Sequence, residues 1–180
     1  KYDSKVINDF PGNFYFVVDQ SGSMSGTPMD IAKEALILFL KSLPENSKYN
    51  IIGFGSSYKY YHDKLQDYNE MNLNSSLEKI SGISANLGGT NIDSPLSSIY
   101  YKKKDVNEKK EPTHNRLLTD GCVDNKEYVI DLISANSKNF ILSSIGIGGG
   151  VDEDLNQNSN QYSKQANYYP NINTLCSNNS

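Results

Sequence analysis

Short apolar runs alternate along the chain with longer amphipathic segments. The run Asn13–Val18 is aromatic and β-branched, and it is continuous rather than alternating, which is typical of a strand buried on both faces. It should therefore be a central strand. Further strands are predicted at Tyr49–Phe54, Asn115–Thr119 and Phe140–Ile147.

A fifth strand is predicted at Tyr58–Tyr61. Only Gly55–Ser57 separate it from the strand before it, and three residues are too few for the crossover that parallel strands need. These two strands are therefore expected to form an antiparallel hairpin. A short sixth strand is predicted near Tyr168.

Helices are predicted between the strands. The first begins at Thr27-Pro28, where a capping residue precedes a proline, and Leu43-Pro44 ends it about four turns later. The charged stretch Lys102–Glu111 is interpreted as a solvated loop. The remaining helices are predicted around Leu73 to Ile80 with an end at Gly82, from about Ile92 to Tyr101, at Lys126–Asn136 and, with polar character, around Asp152–Gln165.

Strands that alternate with helices are typical of α/β proteins. The sequence thus predicts a three-layer α/β/α, doubly wound, Rossmann-like sheet of six strands, mostly parallel with one antiparallel edge strand. A length of 180 residues favours a single domain over residues 1–180, with its core at about 13–170. Because the chain begins with Lys and no apolar leader follows, we expect a piece excised from a longer chain, and we assign no compartment.

Composition and charge exclude several classes of protein. The net charge is −4 and the only arginine is Arg116, which argues against nucleic acid as a partner. The longest apolar runs, Phe14–Val18 and Ala35–Leu40, are far shorter than the roughly 18 residues of a bilayer span, so no membrane insertion is expected. Cys122 and Cys176 lie far apart without CxxC spacing, which excludes a cysteine-based zinc site and a disulfide framework.

Polar residues follow the two strands between which such a sheet binds ligands. In the strand order 3-2-1-4-5-6, that crevice lies outside the carboxyl ends of strands 1 and 4. An all-oxygen shell there suits Mg²⁺ or Mn²⁺, with Ca²⁺ as a third candidate, and would suit zinc or copper poorly. The predicted ligands are Asp19, Ser21 and Ser23 after strand 1, Thr90 in the loop before the short helix, and Asp120 after strand 4.

Three segments resemble the metal-ion-dependent adhesion site of von Willebrand factor type A domains. They are Asp19-Gln-Ser21-Gly-Ser23, Gly88-Gly-Thr90 and Thr119-Asp120-Gly121, and the resemblance extends from about Phe14 to Tyr169. It implies that Ser21 and Ser23 bind the metal directly, and that the other three ligands bind directly or through water according to the state. Only about ten residues, 171–180, follow the last predicted strand, where the family often has a longer helix.

A narrower resemblance concerns one branch of that family. Ile51–Ser56, Leu87–Ile92 and Leu117–Gly121 are similar to the corresponding segments of the branch typified by inter-α-trypsin inhibitor heavy chains.

The donor set also predicts a function. Two carboxylates and three neutral hydroxyls leave the field of a divalent ion incompletely satisfied, and water in its open position is exchangeable. An Asp or Glu of a protein partner can then complete the shell, which favours metal-dependent adhesion. One alternative is a structural scaffold module of a larger assembly with an idle metal site.

An enzyme is less favoured. A Mg²⁺-dependent phosphoryl-transfer enzyme of the aspartyl phosphatase kind would carry a second acid two residues after Asp19, where this chain has Ser21. His62 and His114 are isolated from any nucleophile motif and are interpreted as surface or strand-flank histidines. No catalytic residue is therefore predicted.

Overall fold

The computed structural model describes residues 11–105, 113–120, 131–132, 134–135 and 140–147. A single 3-10 turn, Gly22–Met24, lies between the first strand and the first helix. In chain order, the strands and longer helices of this part are β1 (Asn13–Asp19), α1 (Thr27–Lys41), β2 (Lys48–Phe54), β3 (Tyr58–Tyr60), β4 (Gln66–Asp67), α2 (Glu70–Ser81), α3 (Asp93–Asp105), β5 (Thr113–Thr119) and β6 (Phe140–Gly146).

The six strands form one mixed sheet. Its order is β3-β2-β1-β5-β6, and β4 also pairs with β2. β1 is parallel to β2 and β5, and β5 is parallel to β6, whereas β3 and β4 run antiparallel to β2. This confirms the mostly parallel sheet and the antiparallel hairpin partner at Tyr58–Tyr60. The carboxyl ends of the four parallel strands consequently lie along one edge of the sheet.

One described strand, β4, was not predicted from the sequence. It pairs with Lys48 and Tyr49 at the start of β2. Its two residues are both polar, and the Asp67 carboxylate lies 3.9 Å from the Lys48 ammonium. A strand of two polar residues carries no alternating hydrophobic pattern, so the sequence did not indicate it. The strand predicted near Tyr168 lies outside the described residues.

Helices cover both faces of the sheet, which gives the predicted three layers. Side chains alternate along β1, so Phe16 and Val18 pack with α1 and α2, while Val17 packs on the opposite face with α3. The first face is filled from α1 by four buried residues that recur at helical spacing: Met29, Ala32, Leu36 and Leu40. The opposite face is filled by Ile92, which precedes α3, and by three residues of α3: Leu96, Ile99 and Tyr100.

The helix boundaries follow local chemistry. The Asn69 side chain caps α2 by accepting a hydrogen bond from the Asn72 amide at 2.9 Å, and Gly82 follows its last residue, as predicted. α3 is longer than predicted and continues to Asp105. The solvated-loop interpretation of Lys102–Glu111 is therefore wrong for residues 102–105, because lysine favours helix and no Gly or Pro interrupts that stretch.

Two further helix predictions fall largely beyond the described residues. Within the segment predicted at Lys126–Asn136, residues 131–132 and 134–135 have helical backbone. The polar helix predicted around Asp152–Gln165 lies outside the described part of the chain. Among the described helices, none combines the length and the apolar character needed to cross a membrane.

Replacing a buried leucine of α1 should destabilise the domain strongly. Leu36 is fully buried against the sheet, so Leu36→Ala leaves a cavity and should lower the free energy of unfolding by about 2–5 kcal/mol. Leu38 lies two residues further on the same helix and is 67% exposed, so Leu38→Ala should change that free energy by less than about 0.5 kcal/mol. Urea denaturation followed by circular dichroism measures both. Equal losses in the two variants would contradict the packing of α1 described here.

Candidate metal centre

The Asp19 carboxylate joins the ends of two neighbouring strands. Asp19 ends β1 and is fully buried. One of its oxygens, Oδ1, accepts a hydrogen bond from the Ser21 amide at 2.8 Å. The other, Oδ2, accepts one from the Thr119 hydroxyl at the end of β5, at 2.7 Å. The parallel pairing of β1 and β5 thus fixes the carboxylate at the carboxyl edge of the sheet.

Ser21 and Ser23 present their hydroxyls side by side. Their Oγ atoms are 3.0 Å apart and share a hydrogen bond. The 3-10 turn Gly22–Met24 bends the chain directly after Ser21, and the fully buried Met24 side chain anchors the turn in the α1-side core. Ser21 is buried whereas Ser23 is exposed, so the pair reaches from the carboxylate to the surface.

The loop that carries Thr90 is hydrogen-bonded to the serine loop. The Leu87 amide donates to the Gln20 carbonyl at 2.9 Å, and the Gly22 amide donates to the Gly88 carbonyl at 2.9 Å. Gly88 has a φ of +82°, and a Cβ there would lie 2.7 Å from the Ser56 hydroxyl oxygen, so the turn requires glycine. Half-buried Thr90 follows two residues later in the same loop.

The end of β2 is hydrogen-bonded both to the serine loop and to the loop that carries Thr90. The Gln20 amide donates to the Phe54 carbonyl at 2.8 Å, and the Asn91 amide donates to the Gly55 carbonyl at 2.9 Å. A Cβ at Gly55 would collide with the Leu87 backbone, so only glycine permits this close approach of the two segments. Three neighbouring chain segments are therefore locked together by backbone contacts.

Asp120 supplies the second carboxylate. It directly follows Thr119 at the end of β5 and is only 8% exposed. Burial raises the pKa of Asp19, hydrogen bonds from Ser21 and Thr119 oppose that rise, and the charge of Asp120 adds to it. The two carboxylates are thus close enough to repel each other, which is an arrangement that a cation between them would stabilise.

The donor set fits a small, hard cation. Mg²⁺ binds oxygen ligands at about 2.0–2.1 Å in octahedral geometry, which places neighbouring ligands about 3.0 Å apart. The Ser21 and Ser23 oxygens have this spacing. Within the described residues no group of three or more His, Cys, Asp or Glu side chains is placed to hold a metal. Any metal at this edge would therefore depend on the two carboxylates together with the hydroxyls.

Three residues that support the candidate ligands were assigned no role from the sequence. Thr119 donates a hydrogen bond to Asp19. The Ser56 hydroxyl accepts a hydrogen bond from the Gly89 amide at 2.8 Å. Gln20 is hydrogen-bonded through its backbone to Phe54 and Leu87. Thr119 lies inside a quoted motif, so its position was available. Gln20 and Ser56 also lie inside quoted segments, but like Thr119 they act through contacts between segments far apart in sequence, which no local pattern shows.

His62 is not a surface histidine, although it lies two residues beyond β3, as the strand-flank interpretation expects. Its ring is buried, with Nε2 2.8 Å from the Ser76 hydroxyl and Nδ1 3.2 Å from the Lys79 ammonium. Burial and the nearby Lys79 charge lower the pKa of His62. His114 flanks the core within β5, where its ring stacks on Phe14 with centroids 4.8 Å apart. Neither contact belongs to the candidate metal centre.

Comparison with known proteins identifies the family. A sequence model of the von Willebrand factor type A domain matches residues 12–164. A von Willebrand factor A domain-containing protein of Dictyostelium discoideum is 38% identical over 147 residues, which are 82% of this chain and 16% of that protein. Von Willebrand factor A domain-containing protein 5A of Rattus norvegicus is 38% identical over 157 residues, which are 82% of this chain and 19% of that protein.

Solved structures have the same fold. The structure of a manganese-loaded Plasmodium vivax TRAP protein superposes with a TM-score of 0.70 and 23% identity, over 86% of this chain and 64% of that one. The chain spans less than a fifth of the two curated relatives above. From the matched residues and the fold, this chain belongs to the von Willebrand factor type A domain family.

Proposed function

We propose that this domain binds Mg²⁺ or Mn²⁺ through Asp19, Ser21, Ser23, Thr90 and Asp120, and that the metal holds an acidic side chain of a protein partner. The observation that carries the proposal is the buried Asp19 carboxylate, held by Thr119 beside two hydroxyls at the spacing of neighbouring metal ligands. Domains of this family often mediate protein interactions, and one structural neighbour is manganese-loaded.

The burial of the ligands favours binding from outside the domain. Asp19 and Asp120 are buried, whereas Ser23 is exposed and Thr90 is half-buried. The negative charges and the Ser21 hydroxyl therefore lie toward the sheet, and the hydroxyls of Ser23 and Thr90 lie toward the surface. A bound cation would supply an electrophilic position there, and a carboxylate is the protein side chain that matches it best.

A binding module accounts for these contacts better than an enzyme. The hydroxyls of Ser21 and Ser23 are paired with each other. The chain has two histidines, and both are engaged elsewhere, His62 with Ser76 and His114 with Phe14. A nucleophile activated by a histidine base is thus not part of the proposed centre. The narrower assignment, to the inter-α-trypsin inhibitor heavy chain-like branch, is also a proposal, supported by the similarity of Ile51–Ser56, Leu87–Ile92 and Leu117–Gly121.

A divalent metal should stabilise the folded domain. At 100 times its Kd, Mg²⁺ or Mn²⁺ should add about 2.7 kcal/mol to the free energy of unfolding, because it binds the folded state and not the unfolded one. The rise in Tm between EDTA and excess metal measures this effect. Asp19→Ala and Ser23→Ala should abolish the rise.

Ser25→Ala is the matched control for the serine variants. Ser25 is exposed in the same loop, two residues beyond Ser23, and is not a proposed ligand. Its variant should keep the metal-dependent rise in Tm. A wild-type Tm that is the same in EDTA and in Mg²⁺ would contradict metal binding, and an equal loss in both serine variants would contradict the assignment of Ser23.

Peptides selected on the metal-loaded domain should depend on one acidic residue. Peptides displayed as a random library, captured in Mn²⁺ and eluted with EDTA, are expected to share an Asp or Glu. Replacing that residue by its amide should weaken binding about as much as removing the metal, since both remove the same bond. Isothermal titration of synthetic peptides gives the affinities.

Substitutions of Thr90 test whether its hydroxyl contributes to metal-dependent peptide binding. Thr90→Ala should weaken peptide binding without unfolding the domain, whereas Thr90→Ser keeps the hydroxyl and should retain binding. Circular dichroism confirms that each variant is folded. Binding that is equal in EDTA and in Mn²⁺ would instead favour the scaffold function with an idle metal site, and hydrolysis of phosphate esters in Mg²⁺ would favour the phosphoryl-transfer enzyme.

A further inference from the structure

Gln20 lies between two proposed ligands but points away from them. Asp19 and Ser21 face the metal centre, while the Gln20 side chain extends to the other side of β1 and is fully buried. Its amide nitrogen Nε2 donates a hydrogen bond to the Tyr61 hydroxyl at 2.6 Å. The residue therefore links the metal-binding loop to the antiparallel edge of the sheet, 41 positions further along the chain.

The backbone of Gln20 is held at the same time from two sides. Its amide donates to the Phe54 carbonyl at 2.8 Å, and its carbonyl accepts from the Leu87 amide at 2.9 Å. Together with the Tyr61 contact, these bonds fix the peptide units on either side of Gln20. Those units carry Asp19 and Ser21, so a change in the Gln20 side chain would displace two ligands together.

Gly53 leaves the space that the Gln20 side chain occupies. A Cβ at Gly53 would collide with the Gln20 amide, and its three nearest neighbours would all be Gln20 side-chain atoms. Glycine in the interior of a strand is otherwise unfavourable, because it costs backbone entropy and contributes no packing. The glycine in β2 and the glutamine after β1 thus form one fitted contact.

Gln20 is also a poor choice for stability alone. Its Oε1 atom is buried without a hydrogen-bond partner in the structure. A buried polar atom without a partner is costly, and an apolar side chain of the same length would avoid the cost. A role other than packing therefore favours glutamine at this position.

We propose that Gln20 is a positioning residue of the metal centre, and that its hydrogen bond to Tyr61 across Gly53 sets the conformation of the loop that carries Asp19, Ser21 and Ser23. This inference rests on the proposed metal binding. It assigns Gln20 no contact with the metal or with a partner. The side chain acts by holding the backbone between two ligands.

The test measures Mn²⁺ affinity and stability in three variants, each of which changes a different residue of this contact. Gln20→Met and Tyr61→Phe remove the hydrogen bond, and Gly53→Ala displaces the Gln20 amide. Each should weaken Mn²⁺ binding roughly three- to tenfold, the size expected for one buried hydrogen bond. The free Mn²⁺ signal in electron paramagnetic resonance gives the Kd. The double variant Gln20→Met, Tyr61→Phe should bind no more weakly than either single variant, because both remove the same bond.

Tyr60→Phe is the matched control. Tyr60 precedes Tyr61, and its hydroxyl lies 2.9 Å from the Ser98 hydroxyl of α3 on the opposite face of the sheet. Its variant removes one tyrosine hydroxyl from the same hairpin but should leave the Mn²⁺ affinity unchanged. Gln20→Met should leave Tm in EDTA unchanged or raised, which a merely structural glutamine would not do.

Two results of the Mn²⁺ titrations would overturn the inference. One is an unchanged Mn²⁺ Kd in Gln20→Met and Tyr61→Phe, and the other is an equal loss of affinity in Tyr60→Phe and Tyr61→Phe. A wild-type protein that binds no Mn²⁺ would overturn the proposed function instead. In that case amide hydrogen exchange in EDTA still tests whether the Gln20–Tyr61 hydrogen bond holds the loop. Exchange at Ser21 and Gly22 should be faster in Tyr61→Phe than in Tyr60→Phe. Equal rates would overturn the inference.

Discussion

A carboxylate buried at the end of the central strand is the constraint on which this edge of the domain depends. Asp19 has no exposed surface, so its charge must be balanced by hydrogen bonds or by a cation. The Ser21 amide and the Thr119 hydroxyl each satisfy one of its oxygens. Both donors are in place only when the chain turns sharply after β1 and when β5 lies beside β1 in its observed register. Burial of one side chain thus couples the loop conformation to the order of the strands.

The layers below that edge explain why the loops can be held so closely. β1 is covered on one face by α1 and α2 and on the other by α3, and its neighbours β2 and β5 are parallel to it. With the strand ends fixed by this packing, a few backbone hydrogen bonds suffice to join the loops that follow them. Gly55 and Gly88 permit those bonds because no side chain separates the segments. The rigidity of the centre therefore comes from the sheet rather than from the loops themselves.

Most of this arrangement could be predicted from sequence because it depends on patterns with a short range. Continuous apolar runs marked the parallel strands, and Thr27-Pro28 and Leu43-Pro44 marked the ends of α1. The three-residue Gly55–Ser57 connection required an antiparallel partner. Polar residues after the strands then marked the candidate ligands, since the fold class itself defines where ligands bind. β4 and the burial of His62 could not be predicted, because these depend on residues that meet only in the folded chain. The end of α3 was missed although the helix propensity of its lysines favours the extension.

A buried polar atom without a hydrogen-bond partner identifies a residue that supports a site only when a second unfavourable feature, such as a glycine within a strand, lies against it. Oδ1 of Asn13 and of Asn115 is also buried without a partner, yet these residues lie within the sheet and away from the metal centre. Gln20 differs because its side-chain amide occupies the space that a strand glycine, Gly53, leaves beside it. A strand glycine and a buried glutamine that fit each other are two locally unfavourable choices, which are expected at functional sites. In this domain that contact lies beneath the loop between two candidate ligands, where the backbone position decides what the side chains above it can bind.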